Sequence, residues 1–240
     1  MRGMNPRALR SVALSSLLSL CALTLAACGP SINAAAKADI DGRLAALQPS
    51  TTVVPPPAAF QPMPLAPGQW AQYKVTDDKG QPGFMTYKVL GVEGDAFWIE
   101  ILHESYVGRT GQKMLLALGN RMDPSQIDIR AIVTLDSHGN VNQMPPAMMS
   151  FLQSTFKGAV SSMVLNWQGL PQEAATVPAG HFDGCFHVRS EGQWGPWKSI
   201  ADSWSHPAVP ISGVVRTQGV DHPFTMELAA FGLTGATPDF

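Results

Sequence analysis

Beyond Gln69 apolar and polar side chains alternate with a period of two, and this pattern restricts what the chain can fold into more than any other feature. Successive side chains on a strand point to opposite faces, so such a run reads as a half-buried strand. Residues 96–105 show it clearly: Phe97, Ile99 and Ile101 fall on one face, Trp98, Glu100 and Leu102 on the other. The same reading predicts strands over Trp70–Val75, Phe84–Val92, Lys113–Leu118, Ile127–Leu135, Gly180–Ser190, Gly213–Gln218 and Phe224–Phe231. Turn-forming runs separate several of them, among them Asp77-Asp78-Lys79-Gly80, Glu93-Gly94-Asp95 and Ser137-His138-Gly139-Asn140. Their close spacing implies an antiparallel meander.

One segment departs from this period. After Pro145-Pro146, which suit the first turn of a helix, Met148, Leu152, Phe156, Met163 and Trp167 recur near helical spacing. Lys157 is the only charge on the opposite stripe. A helix this apolar must cover a concave surface or the sheet. The expected fold is therefore α+β: a strongly curved antiparallel sheet, a half-open barrel, with one long apolar helix packed on it or in it. Met148, Leu152, Phe156, Met163 and Trp167 are then the candidates to line an apolar ligand site. The flexible thioethers of Met144, Met148, Met149 and Met163 suit an adaptable pocket.

The N-terminus reads as an export signal. Arg2, Arg7 and Arg10 precede an apolar run from Ser11 to Ala27, too short to span a membrane comfortably. The run ends in Leu25-Ala26-Ala27-Cys28, which resembles the bacterial lipobox. That resemblance implies a signal peptide over 1–27 and a lipid anchor on Cys28, facing the periplasm. Gly29 follows, in place of the aspartate that favours retention in the inner membrane, so the outer membrane is the expected location. Residues 28–68 carry the anchor and a tether: Pro30, Pro49, Pro55, Pro56, Pro57, Pro62, Pro64 and Pro67 crowd it, and such segments stay extended. A short helix over Asn33–Leu47 fits its Ala and Leu content. Residues 69–240 form a single domain by length. Removing Arg2, Arg7 and Arg10 leaves 13 basic residues against 18 acidic ones, a net charge of −5, which is no footprint for nucleic acid.

Candidate chemistry is sparse. His181-Phe-Asp183-Gly-Cys185-Phe-His187 sets four metal-ligand types at alternate positions of one strand. Residues two apart on a strand stand ~6.6–6.8 Å from each other, so all four cannot reach one ion. Cys185 and His187 can converge only with a ligand from a neighbouring strand. The competing reading is a half-buried strand with its polar side outward. Cys185 is the one cysteine left once Cys21 leaves with the signal and Cys28 is acylated, so an internal disulfide is excluded. His103-Glu104 ends a strand without a visible partner. Asp202-Ser203-Trp204-Ser205-His206 holds the residue types of a hydrolytic triad, yet no G-x-S-x-G elbow, Walker A loop, dinucleotide fingerprint or H-E-x-x-H motif occurs. No cofactor and no enzymatic activity are expected. Trp194, Trp197 and Trp204, spaced among Gly192, Gly195 and Pro196, either cap one end of the sheet or anchor a partner.

Val177-Pro-Ala-Gly-His-Phe182 opens one strand, Trp204 to Arg216 leads into another, and Met226 to Gly232 closes the sheet. This order resembles a group of uncharacterised bacterial envelope lipoproteins with a V-P-A-G-x-F strand start, similar to the LolA-like lipoprotein-carrier superfamily. The resemblance covers roughly residues 175–235 and implies a half-open barrel over an apolar cavity, with no catalytic signature. His181 stands where that group commonly carries a small or hydroxyl residue. The leading expectation is a lipid-anchored periplasmic domain binding an apolar ligand or an acylated partner. The alternatives are a structural lipoprotein that engages an envelope protein through Trp194, Trp197 and Trp204, and a metal site on strand 181–187.

Overall fold

The computed structural model describes residues 31–59, 61–119, 127–145, 149, 169–194 and 197–240. The chain enters through helix α1 (Ala34–Ala46) and a two-residue strand β1 (Val53–Val54). A first meander follows: β2 (Trp70–Thr76), β3 (Pro82–Glu93), β4 (Ala96–Ser105), β5 (Gly108–Leu118), β6 (Ile127–Leu135) and β7 (Val141–Gln143). The second half supplies β8 (Gln172–Val177), β9 (Gly180–Trp194), β10 (Trp197–Ser205), β11 (Val214–Gly219) and β12 (Thr225–Gly232). The last strand pairs antiparallel with the first long one, β12 with β2. That pairing fuses the two meanders into one sheet ordered β1-β9-β10-β11-β12-β2-β3-β4-β5-β6-β7, with β8 on the free side of β9.

Local chemistry explains the strands. In β2, Ala71, Tyr73 and Val75 are buried while Trp70, Gln72 and Lys74 are only partly so, which is the period-two pattern made physical. Asp77 closes the β2–β3 turn by accepting the backbone N–H groups of Lys79 and Gln81. Asp136 does the same for His138 and Asn140 between β6 and β7. Such side chains stand in for a backbone acceptor in tight turns.

Three apolar clusters among the described residues hold the sheet. The largest joins Tyr73, Val75, Phe182, Cys185, Val215 and Leu228 with Ala175 and Val177 of β8. It forms because the sheet curls until β8 meets β11 and β12. The register of β12 against β2 skips a residue between Leu228 and Ala230, and the Leu228 carbonyl accepts the Ala179 N–H from beyond β8. A second, under the other end, holds Ile99, Met114, Leu116, Ile129 and Ile132, and a third holds Ala96, Leu115 and Ala117.

These observations correct the expected architecture. The fold is mostly β, with 53% strand against 8% helix, and the sheet does not close. The described helix is short and carries Lys37, Asp39, Asp41 and Arg43, so the expected α+β half-open barrel with a long apolar helix packed in it does not describe this chain. An apolar run without alternation is compatible with more than one structure by period alone, and the sheet covers its large cluster with its own curl. Met148, Leu152, Phe156, Met163 and Trp167 lie outside the described residues.

The segment read as a tether makes specific contacts with the sheet. The side chain of Asn33 caps α1 by accepting the N–H groups of Ala35 and Ala36, a placement that satisfies otherwise orphaned donors. Ile40 is 1% exposed, Arg43 lies over the Phe84 ring at 4.1 Å and bonds Glu104 at 3.0 Å. Further on, β1 pairs parallel with His181 and Phe182, filling the edge of β9 beyond the last residue of β10.

Candidate functional site

Three places in the fold carry the residues singled out by sequence. The first is strand β9. Gly184 adopts φ 68°, a left-handed conformation that glycine takes without steric cost. The pairing of β8 with β9 shifts register at the same level, between Glu173 and Ala175. A bulge of this kind re-aims the side chains beyond it. Cys185 therefore turns into the core with no exposed surface, whereas His181 and Asp183 stay half-exposed. The expectation that His181, Asp183, Cys185 and His187 share one face fails for this reason. Burial pushes the Cys185 thiol up to about 11, which keeps it protonated and a poor ligand.

The two histidines of β9 end in separate polar networks. His181 bonds Thr176 Oγ1 through Nδ1 at 2.7 Å and Asp183 Oδ1 through Nε2 at 3.0 Å. His187 Nδ1 meets Glu173 Oε1 at 3.0 Å, and its Nε2 lies 3.2 Å from Asp202 Oδ1 without hydrogen-bond geometry. Asp202 is gripped by both Nε and the terminal nitrogen of Arg189, at 2.9 and 2.7 Å. The Arg189 guanidinium holds the Asp202 carboxyl below its ordinary range. Among the described residues no group of three or more His, Cys, Asp or Glu side chains is placed to hold a metal ion.

The second place is the tryptophan cluster. Trp204 lies inside β10, where its ring stacks on His187 at 4.6 Å with the planes 6° apart. Arg216 of β11 approaches the ring at 5.3 Å, and the indole N–H donates to Glu173 Oε2 at 2.9 Å. That hydrogen bond, with His187 behind it, lowers the Glu173 carboxyl. His187, Trp204 and Arg216 are cross-strand neighbours in register on β9, β10 and β11, so the indole is engaged from both sides. Trp194, the last residue of β9, and Trp197, the first of β10, are partners in strand register. Trp204 lies within a strand and not in a loop.

The third place is a cleft of about 690 Å³ at the β6–β7 end of the sheet. Ile129, Ala131, Met144, Pro145 and Met149 supply its apolar lining, with Asp128 and Arg130 at its polar side. Ile129 belongs to the second core cluster, and Met144 and Met149 pack against that cluster. Arg130 is committed to Asp95 through two contacts at 2.6 and 2.9 Å, with Asp128 at 3.4 Å. The site thus joins an apolar floor to a charged rim whose charges are already paired.

Sequence reasoning had singled out Met144 and Met149 as pocket-suited thioethers. It had no signal for Ile129, Ala131 or Arg130, because strand β6 alternates like any other half-buried strand. Glu173, Thr176, Asp202 and Arg216 were likewise missed as partners of the histidines and of Trp204. Only strand pairing places them there. Comparison of the chain with protein-family models, with curated proteins and with solved structures finds no match.

Proposed function

We propose that the protein is a lipid-anchored, outer-membrane protein whose β domain faces the periplasm and binds an apolar ligand or the acyl chain of a partner, without catalysis. The observation that carries this reading is the β6–β7 cleft. Its volume of about 690 Å³ falls within the ~300–1,000 Å³ usual for small-molecule sites. Its aliphatic and thioether lining matches a hydrocarbon ligand. Each methylene withdrawn from water there contributes ~0.8 kcal/mol. Arg130 and Asp128 at the rim suit the polar end of an amphiphile. The anchor rests on Cys28 in its Leu25-Ala26-Ala27-Cys28 setting, since one acyl chain alone gives only marginal attachment and a multiply acylated cysteine a stable one.

Native mass spectrometry of the protein purified from its membrane tests both parts. A lipid-modified Cys28 and an additional, solvent-extractable mass of several hundred daltons are expected, and an Ala131→Glu variant, at a partly exposed position of the lining, should lose the second mass alone. A folded protein carrying no such mass, before and after incubation with fatty acid, overturns the ligand reading. An unmodified Cys28 overturns the anchor.

A further inference from the structure

The segment that follows β12 leaves the end of that strand and lies back across β2–β5. Its backbone is tied down by the Trp70 indole N–H on the Thr234 carbonyl and by the Ala236 N–H on the Gly68 carbonyl. Its last residues then sit over an unusual cluster. Glu100 of β4 has no exposed surface, and a buried carboxylate is stable only when paired and hydrogen-bonded. Its register neighbours on both sides are lysines, Lys88 on β3 and Lys113 on β5, at 3.5 and 3.6 Å. Both Glu100 oxygens also accept the backbone N–H of Asp239, at 3.2 and 3.1 Å.

The side chains of the two final residues are received just as specifically. The Asp239 carboxylate pairs with Lys88 and with Arg109, the latter at 3.1 Å. Lys88 also donates to the Thr237 carbonyl at 2.9 Å. Lys113 lies over the Phe240 ring at 4.3 Å. The floor beneath that ring is Gly111, where a β-carbon would come within 2.8 Å of the ring edge. Apart from the Ala236–Gly68 backbone hydrogen bond, these interactions run through side chains, and no strand pairing joins the segment to the sheet. Without the segment, Lys88 and Lys113 would share a single carboxylate, Glu100, and Arg109, whose register neighbour Glu104 is already paired with Arg43, would lose its Asp239 partner. The slot therefore carries an excess of positive charge, and Asp239 offsets one unit of it.

We propose that Lys88, Glu100, Arg109, Gly111 and Lys113 form a peptide-binding slot for an extended segment in which a carboxylate side chain precedes an aromatic ring. In this structure the chain's own Asp239-Phe240 occupies it, and the same chemistry from a second protein competes for it. The buried Glu100 reads the backbone N–H, the cations read the carboxylate, and Lys113 over Gly111 reads the ring. Since the attraction is largely between partly exposed charges, it weakens with salt.

The test uses the full chain with Asp239→Ser and Phe240→Ser, and a fluorescent peptide of the sequence Leu-Thr-Gly-Ala-Thr-Pro-Asp-Phe as probe. The variant should bind the probe at least about tenfold more tightly than the wild type, whose slot is filled. A probe ending in Asn-Ala should not bind. Raising salt from about 50 to about 500 mM should weaken binding several-fold. A folded variant that ignores the probe, or binds both probes alike, overturns the proposal. Hydrogen exchange on the wild type gives an independent reading. If the segment exchanges, the Asp239 amide should exchange at least about a hundredfold faster than the amides of Glu100 and Lys113. Equal protection would make the segment a fixed part of the fold and overturn the proposal.

Discussion

His206 shows how much one side chain can be committed by its surroundings. It is 3% exposed, accepts the Ala208 N–H on Nδ1 at 3.1 Å, and faces the Pro55 carbonyl with Nε2 at 3.2 Å. One nitrogen must accept and the other donate, so the ring is held neutral in a single tautomer. Burial lowers its pKa from the ordinary value near 6.5, and burial does the same to His103. In the unfolded chain these rings gain a proton at higher pH than in the fold. Their contribution to stability is therefore complete above about pH 6.5 and is lost as pH falls below it, levelling off once the folded rings protonate. Denaturant titrations between pH 8 and pH 5 should show that loss, and His206→Gln, which keeps one acceptor and one donor, should reduce it.

At the scale of elements, α1 gains its place from contact more than from propensity. Isolated helices of 13 residues are marginal in water. Here Asn33 caps the start, Tyr106 holds Asp41 at 2.6 Å, and Ile40 plugs the surface beneath. Ile40→Ala should cost about 2–4 kcal/mol, measured by chemical denaturation with the unfolding midpoint lowered. An unchanged midpoint would mean that α1 contributes nothing to the sheet. The strands behave differently. Those of the first meander are local, because each pairs with the next in sequence, and the β2–β3, β3–β4 and β6–β7 turns carry an aspartate and a glycine visible in sequence. Strands β8 and β10 escaped prediction: Gln172–Val177 is mostly exposed, and Trp197–Ser205 mixes Lys198, Asp202 and three serines into its alternation. Neither offers a clean apolar face until it is paired.

Across the whole molecule, ends of the chain that are far apart in sequence close the surface. Both α1 and the segment after β12 lie on the sheet near β3 and β4, and β12 pairs with β2 over a separation of about 150 residues. Burial pushes the Asp239 carboxyl up, but Lys88 and then Arg109 more than offset this, and its pKa lies below the ordinary value of 3.8. A carboxyl depressed by folding contributes stability above its unfolded pKa, near 3.9, and loses it as pH falls through the folded value. Asp239→Asn should therefore lower stability at pH 7 and have less effect near pH 2, by thermal unfolding at both values. An equal loss at both pH values would assign the residue a purely steric role.

By itself the sequence determined most of the long strands, several turns and the helix over Ala34–Ala46, because alternation, turn acceptors and caps act between residues a few positions apart. It also determined which residue types stand on β9. Only tertiary structure decided how they are used. Gly184 could have been an ordinary strand glycine, and its left-handed bulge is what separates buried Cys185 from half-exposed His181 and Asp183. Glu100 read as the polar side of an alternating strand, yet it is fully buried because Lys88, Lys113 and a segment some 140 residues away converge on it. The cleft of Ile129, Ala131 and Met144 exists only where β6 and β7 meet Met144, Pro145 and Met149 beyond them. Such features depend on contacts whose loop-closure cost is met by the fold as a whole, and local pattern carries no record of them.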